Sequence, residues 1–204
     1  MSTLDKKAAF FHVIDSHRWL AASGCAWNLV SRNAAQTKEK AEVHGLLPNI
    51  DVMVRDCLLL HARSLIKFYR SGKKSTTDIV LCDFSTTKIP APVDAYLAGY
   101  ERPIEVHLLH LTDHRDPDYR QQNPAKPGQG TTSRPNWDRE AAGIAERLIF
   151  ECLEYVSEQS GKWQTPFKAL FDATAARYRD KSFTWPKHLC EKPDVIKWLT
   201  SLGL

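Results

Sequence analysis

The segment HLLHLTDHR, residues 107–115, holds three of the eight histidines of the chain and ends with an arginine. Histidine accepts and donates protons near neutral pH, and arginine stabilises negative charge on a phosphate. Together they can cleave RNA without a metal ion, because histidine moves a proton to or from the 2′-hydroxyl or the leaving oxygen while arginine neutralises the phosphate. His107, His110, His114 and Arg115 are therefore candidate site residues.

The three histidines of this segment have two other interpretations. On a helix they form a stripe beside the apolar face, where a groove between two helices would be lined. They span about 10 Å of helix axis, so one ion at about 2 Å from each nitrogen cannot easily hold all three, and no metal site is predicted. The structural alternative is a set of partly buried histidines that form hydrogen bonds to a neighbouring helix.

The bulk composition is that of an ordinary globular protein. The chain has 204 residues, of which 43% are hydrophobic and 25% charged, which predicts one helical domain spanning 1–204. A net charge of +4 is compatible with a nucleic-acid partner but does not require one. The five scattered cysteines lack a CxxC pair, which favours reduced thiols and argues against a zinc ribbon. With neither a signal peptide nor a long apolar run, we expect a cytoplasmic protein without membrane contact.

Apolar periodicity predicts an all-α fold, a bundle of about six helices. The helical segments are expected at about 3–30, 51–70, 93–100, 103 to 115–117, 137–159, 165–180 and 193–203. Pro103 is placed at the first position of its own helix, which proline favours. The proline- and glycine-rich stretch at about 116–136 is predicted to be a long flexible loop.

Buried positions are predicted within two of these helices. In the first helix they are Phe10, Ile14, Trp19 and Trp27, and Gly24 is a candidate break. In the long helix after the loop they are Ile144, Leu148, Cys152, Tyr155 and Val156.

The second helix carries further candidates. His61 falls within its apolar stripe, and Arg63 lies on the opposite, polar side. Its segment HARSLIKFY, followed about forty residues later by HLLHLTDHR, resembles a group of bacterial helical proteins. In that group a HARNLIDF-like helix precedes an HLT-x-x-R-like helix. The group is similar to the HEPN superfamily (higher eukaryotes and prokaryotes nucleotide-binding), including its abortive-infection members, and the resemblance covers roughly residues 50–116.

This resemblance implies a HEPN-like helical bundle with two antiparallel helix pairs, commonly a homodimer, with no cofactor. Many members of the superfamily are metal-independent ribonucleases of toxin–antitoxin and phage-defence systems, so an antitoxin or a nucleotidyltransferase is a possible partner. Their motif is an arginine, usually followed directly by Asn, Asp or His, with a histidine after four to six intervening residues counted from the arginine. Arg55, followed by Asp56, and His61 fit this motif. The bacterial group itself shares His61, Arg63, His110 and Arg115.

Two functional hypotheses follow from these residues. The first is a metal-independent endoribonuclease, with His61, His110, Arg115 and Arg55 as catalytic residues and Arg63, His107 and His114 as contacts to RNA. The second is a non-catalytic HEPN-like module that binds nucleic acid, a nucleotide or a partner protein. In the second, His61 and His110 form a hydrogen bond across the two helices and fix their register.

Overall fold

The computed structural model describes residues 3–32, 50–70, 78–113 and 135–204, and most of these residues are helical. Within these ranges there are six helices and no β-strand, as the sequence predicted for an all-α bundle. The helices are α1 (Thr3–Arg32), α2 (Ile50–Arg70), α3 (Ala91–Asp113), α4 (Trp137–Glu146, continued by Arg147–Leu153 and Glu154–Gln159), α5 (Gln164–Arg179) and α6 (Lys192–Ser201). Among these described helices, none is long and apolar enough to cross a membrane.

The long helix α1 packs along α2 and also contacts α4, α5 and α6. Ser23 near its C-terminal end lies against Cys57 of α2, whereas His17, nearer the N-terminus, lies against Tyr69. The sequence numbers rise on one helix as they fall on the other, so α1 and α2 are antiparallel. Gly24, the candidate break, lies inside a continuous helix, so that prediction is wrong.

The core lies where α1, α2, α4 and α5 meet. At one end, an aromatic cluster joins Phe10, Phe84, Trp163 and Phe167, with ring centroids 4.9–6.3 Å apart. Burial is confirmed for Phe10, Ile14 and Trp27.

Trp19 was predicted to be buried and is instead 47% exposed. It lies nine residues after Phe10, which places it about 180° away around the helix axis. Because Phe10 faces the aromatic cluster, the indole of Trp19 points to the opposite side of α1, which is more open to solvent.

A single helix, α3, replaces the two that the prolines predicted. Pro103 lies inside it and supplies no backbone N–H, yet the helix continues to Asp113. Side chains on both sides of Pro103 bind α2: Asp94 and Glu101 precede it, and Glu105 follows it. Tertiary contacts therefore outweigh the local cost of the proline.

The middle of α4, Arg147–Leu153, is a π-helix. Burial is confirmed for Ile144, Leu148, Cys152 and Val156, whereas Tyr155 is exposed, against prediction. A π-helical turn contains more residues than an α-helical turn, so residues after it rotate relative to an ideal α-helix. Of the predicted loop at about 116–136, residues up to 134 lie outside the described part of the chain.

Candidate functional site

The sequence candidates that the structure brings together lie between α2 and α3. His107 of α3 donates from Nε2 to Oδ1 of Asp56 on α2, at 3.0 Å. Nε of Arg55 donates to the same oxygen at 3.4 Å. These three side chains are 16–20% exposed, so solvent reaches each of them although most of their surface is buried. One carboxylate thus joins a histidine and an arginine in a partly closed setting.

Trp137, the first residue of α4, packs on the imidazole of His107 with ring centroids 5.3 Å apart. His107 therefore lies between α2 and α4, which is the inter-helical position that its stripe on α3 indicated. Nearby, Tyr100 donates a hydrogen bond to Glu140 at 2.6 Å, and this second contact joins α3 to α4. The ring of His107 is therefore restrained by its hydrogen bond to Asp56 and by its contact with Trp137.

Sequence reasoning missed Asp56 and Trp137 as site residues. In the sequence, Asp56 is only the polar residue that follows Arg55, in a motif whose histidine is His61. Trp137 stands next to no sequence candidate, because it follows the proline- and glycine-rich stretch. No local pattern links either residue to His107, because the contacts cross between helices that are far apart in sequence.

His61 lies on another side of α2, facing α1. Its imidazole stacks nearly parallel on the indole of Trp19, with centroids 6.1 Å apart and 12° between the planes. Burial lowers the pKa of His61, and nearby Asp15 opposes this shift in part. Arg55 and His61 are six residues apart, which separates them by about 120° around the helix axis. The described hydrogen bond of Arg55 goes to Asp56.

Arg63, a predicted contact to RNA, is bound to an acidic residue of α3. Its guanidinium forms an ion pair with Glu105, which also accepts from Lys67 at 3.0 Å. Arg63 and then Lys67 lower the pKa of Glu105. Nε of Arg63 is buried and has no hydrogen-bond partner among the described residues. Arg63 is therefore part of the contact between α2 and α3.

The ion pairs continue along the same two helices. Arg70 reaches Asp94 and Glu101, both at 2.7 Å. We call this set the α2–α3 ion-pair ladder, and its members are Arg63, Lys67, Arg70, Asp94, Glu101 and Glu105. It contains three cations and three carboxylates, so its formal charges balance.

Three sequence candidates cannot be placed as side chains. The backbone of His110 belongs to α3, but its side chain is outside what the structure describes. His114 and Arg115 lie wholly outside the described residues. The predicted contact between His61 and His110 and the role of Arg115 stay predictions.

The geometry of His107 defines its proton chemistry. The carboxylate of Asp56 can only accept, so Nε2 of a neutral His107 carries the proton and Nδ1 is the basic nitrogen. This is the arrangement of a histidine oriented by a carboxylate, with an arginine next to it. In the described part of the chain, no three His, Cys, Asp or Glu side chains come close enough to hold a metal ion.

No family model, no curated protein and no solved structure matches the chain. The resemblance to the HEPN superfamily therefore rests on the two sequence segments alone.

Proposed function

We propose that this protein is a HEPN-like, metal-independent endoribonuclease in which His107 is the acid–base residue. The observation that carries the proposal is the convergence of His107, Asp56 and Arg55. The three come from two helices that the ion-pair ladder holds together, so their relative positions are fixed by the fold. Such pre-organisation is what proton transfer to a bound substrate needs.

The chemistry follows from the hydrogen bond to Asp56. Nδ1 of His107 takes the proton of an RNA 2′-hydroxyl, whose oxygen attacks the adjacent phosphorus. Arg55 stabilises the added negative charge on the phosphate oxygens. The protonated histidine then returns a proton to the departing 5′-oxygen. The products are a 2′,3′-cyclic phosphate and a 5′-hydroxyl, and DNA is not a substrate because it lacks the 2′-hydroxyl.

Asp56 is a positioning residue in this scheme. Its carboxylate holds the tautomer of His107 and stabilises the imidazolium that forms during the reaction. An asparagine in its place presents an N–H as readily as an oxygen, so the ring loses that constraint. We expect Asp56→Asn to lower kcat by at least about tenfold while KM for RNA changes little.

The experiment compares wild type, His107→Ala and His12→Ala on total RNA and tRNA in EDTA. His12 is exposed on α1 and contacts none of the three site residues, so it is the matched control. We expect wild type and His12→Ala to cleave RNA, and His107→Ala to be inactive with an unchanged circular dichroism spectrum. Cyclic-phosphate ends and resistance of a 2′-O-methyl substrate identify the chemistry.

A second candidate function is a non-catalytic HEPN-like module. The ion-pair ladder favours it, because each of its cations is already neutralised by an acidic residue of α3. In this case wild type does not cleave RNA, and His107→Ala melts several degrees lower because Asp56 loses a partly buried hydrogen-bond partner. That result rejects the nuclease proposal and directs the search to a bound partner.

A further inference from the structure

A cleft of about 580 Å³ opens between α1, α4 and α5, at a place that involves neither His107 nor Asp56. Leu29 comes from α1, Glu146 and Phe150 from α4, and Tyr178 and Arg179 from the end of α5. The volume is within the range of about 300–1,000 Å³ that is usual for small-molecule sites. Phe150 lies in the π-helical stretch of α4, and such stretches are rare and often occur at functional sites.

Two opposite charges line this cleft without pairing with each other. Glu146 accepts a hydrogen bond from the neutral hydroxyl of Tyr178 at 3.3 Å, and no cation pairs with it among the described residues. The guanidinium of Arg179 lies over the ring of Phe150, 4.8 Å from its centroid, and no described carboxylate pairs with it. By contrast, Glu151, which also lines the cleft, is already paired with Arg147 at 2.9 Å. The cleft therefore offers one carboxylate and one guanidinium, separated by more than an ion-pair distance.

The rest of the wall combines the polar side chains of Asn28 and Glu151 with an apolar and aromatic part. Phe150 packs edge-on against Tyr178, with ring centroids 5.8 Å apart. Leu29 is 42% exposed at the cleft, which is high for a large aliphatic side chain. The site combines a few convergent polar groups with an apolar surface, as ligand sites commonly do.

We propose that this cleft binds a small zwitterion, an α-amino acid with an apolar side chain. Its ammonium pairs with Glu146 and its carboxylate with the forked guanidinium of Arg179. The side chain lies against Leu29 and Phe150. A ligand with both charges satisfies both groups at once, whereas an amine or a carboxylic acid alone leaves one of them unpaired.

The test is isothermal titration of the full chain with L-phenylalanine and L-leucine. Two half-ligands separate the charges: phenethylamine lacks the carboxylate, and hydrocinnamate lacks the ammonium. We expect an amino acid to bind, and the half-ligands to bind at least about tenfold more weakly. Glu146→Gln and Arg179→Gln should each weaken the binding of the amino acid by a similar factor.

Glu158→Gln and Arg139→Gln are the matched controls, since both residues are exposed on α4 and neither lines the cleft. They should leave the affinity unchanged. Phenethylamine should be sensitive to Glu146→Gln and not to Arg179→Gln, and hydrocinnamate should show the reverse. The proposal is overturned if neither amino acid binds at millimolar concentration, if a half-ligand binds as tightly as the zwitterion, or if both cleft variants keep wild-type affinity. Because the readout is binding, the RNA cleavage assay has no influence on this result.

Discussion

His17 is completely buried in α1, and its hydrogen bonds define its protonation state. The carbonyl oxygen of Val13 accepts from Nδ1 at 2.8 Å, so Nδ1 carries the proton. Nε2 then accepts from the hydroxyl of Tyr69 at 2.9 Å. Burial lowers the pKa of His17 to about 4, while the bond to Val13 opposes this shift. The core accommodates this polar ring because the imidazole is neutral and both of its nitrogens form hydrogen bonds.

Removing the Tyr69 hydroxyl should therefore destabilise the protein. Tyr69→Phe keeps the ring and leaves Nε2 of His17 buried without a donor, so we expect a loss of about 1–3 kcal/mol in the free energy of unfolding. Urea denaturation measures it, and Tyr155→Phe, at an exposed position of α4, is the matched control. Equal stability of the two variants would show that the bond between His17 and Tyr69 contributes nothing.

Trp19 and His61 show the limit of prediction for single residues. Leu58, Leu65 and Phe68 of α2 lie in the core, yet His61, which falls within the apolar stripe of the same helix, faces α1 and is only partly buried. An apolar stripe predicts which side of a helix packs against other helices, but it does not predict where along that side the packing gives way to solvent. Here the exposed indole of Trp19 borders the solvent, and the imidazole of His61 packs against this indole.

At the scale of elements, Gly24 determines how closely α1 approaches α5. A Cβ at position 24 would lie 2.4 Å and 2.8 Å from two ring carbons of Tyr178. Tyr178 is buried, and its hydroxyl is bonded to Glu146. The ring therefore cannot swing away cheaply, and the glycine is required by packing rather than by a bend in the helix.

Gly24→Ala and Gly99→Ala should have opposite effects. Both glycines lie inside helices, where alanine is favoured by about 1 kcal/mol. A Cβ at position 99 meets nothing within 4 Å, so Gly99→Ala should stabilise the protein by roughly that amount. At position 24 overpacking costs about 1–3 kcal/mol and outweighs the gain. Thermal melts of the two variants measure the difference, and a rise in Tm for both would contradict the packing argument.

Most helices were predictable because their apolar residues recur at a helical period and their ends carry prolines or polar segments. The predictions were wrong where a tertiary contact outweighed a local sequence preference. Pro103 predicted a helix start, but ion pairs on both sides of it hold α3 in one piece. Tyr155 was assigned with an α-helical period that the π-helical stretch before it interrupts. Neither effect can be detected from the sequence of a single helix.

At the scale of the whole molecule, the candidate site depends on which helices are neighbours. The sequence supplied His107 and Arg55 as candidates, each within its own helix. It did not predict that both side chains would contact Asp56, because that contact depends on the antiparallel register of α2 and α3. The ion-pair ladder shows this register, since Arg70 reaches Glu101, whereas Lys67, earlier in α2, reaches Glu105, later in α3. Charge patterns on separate helices do not specify which partner each residue takes.

The stability of the whole protein should fall as the pH is lowered from about 6.5 to about 4. Burial lowers the folded-state pKa values of His17, His61 and His188 below the ordinary value of 6.5. In this interval the unfolded chain binds more protons than the folded one, so the stability present above pH 6.5 is lost on acidification. For His17, with a pKa of about 4, the loss amounts to about 3 kcal/mol.

Carboxylates also titrate near the lower end of this interval, so the measurement needs a difference between two proteins. His17→Gln removes the titrating ring and leaves every carboxylate in place. It should unfold more easily than wild type at pH 7.5, because it loses the packing and bonds of the buried imidazole. The gap between the two free energies of unfolding should then narrow as the pH falls to 4.5, since only wild type loses the His17 contribution. Urea titrations at a series of pH values measure this gap. A gap that stays constant across the series would mean that His17 takes up its proton equally in the folded and unfolded chains.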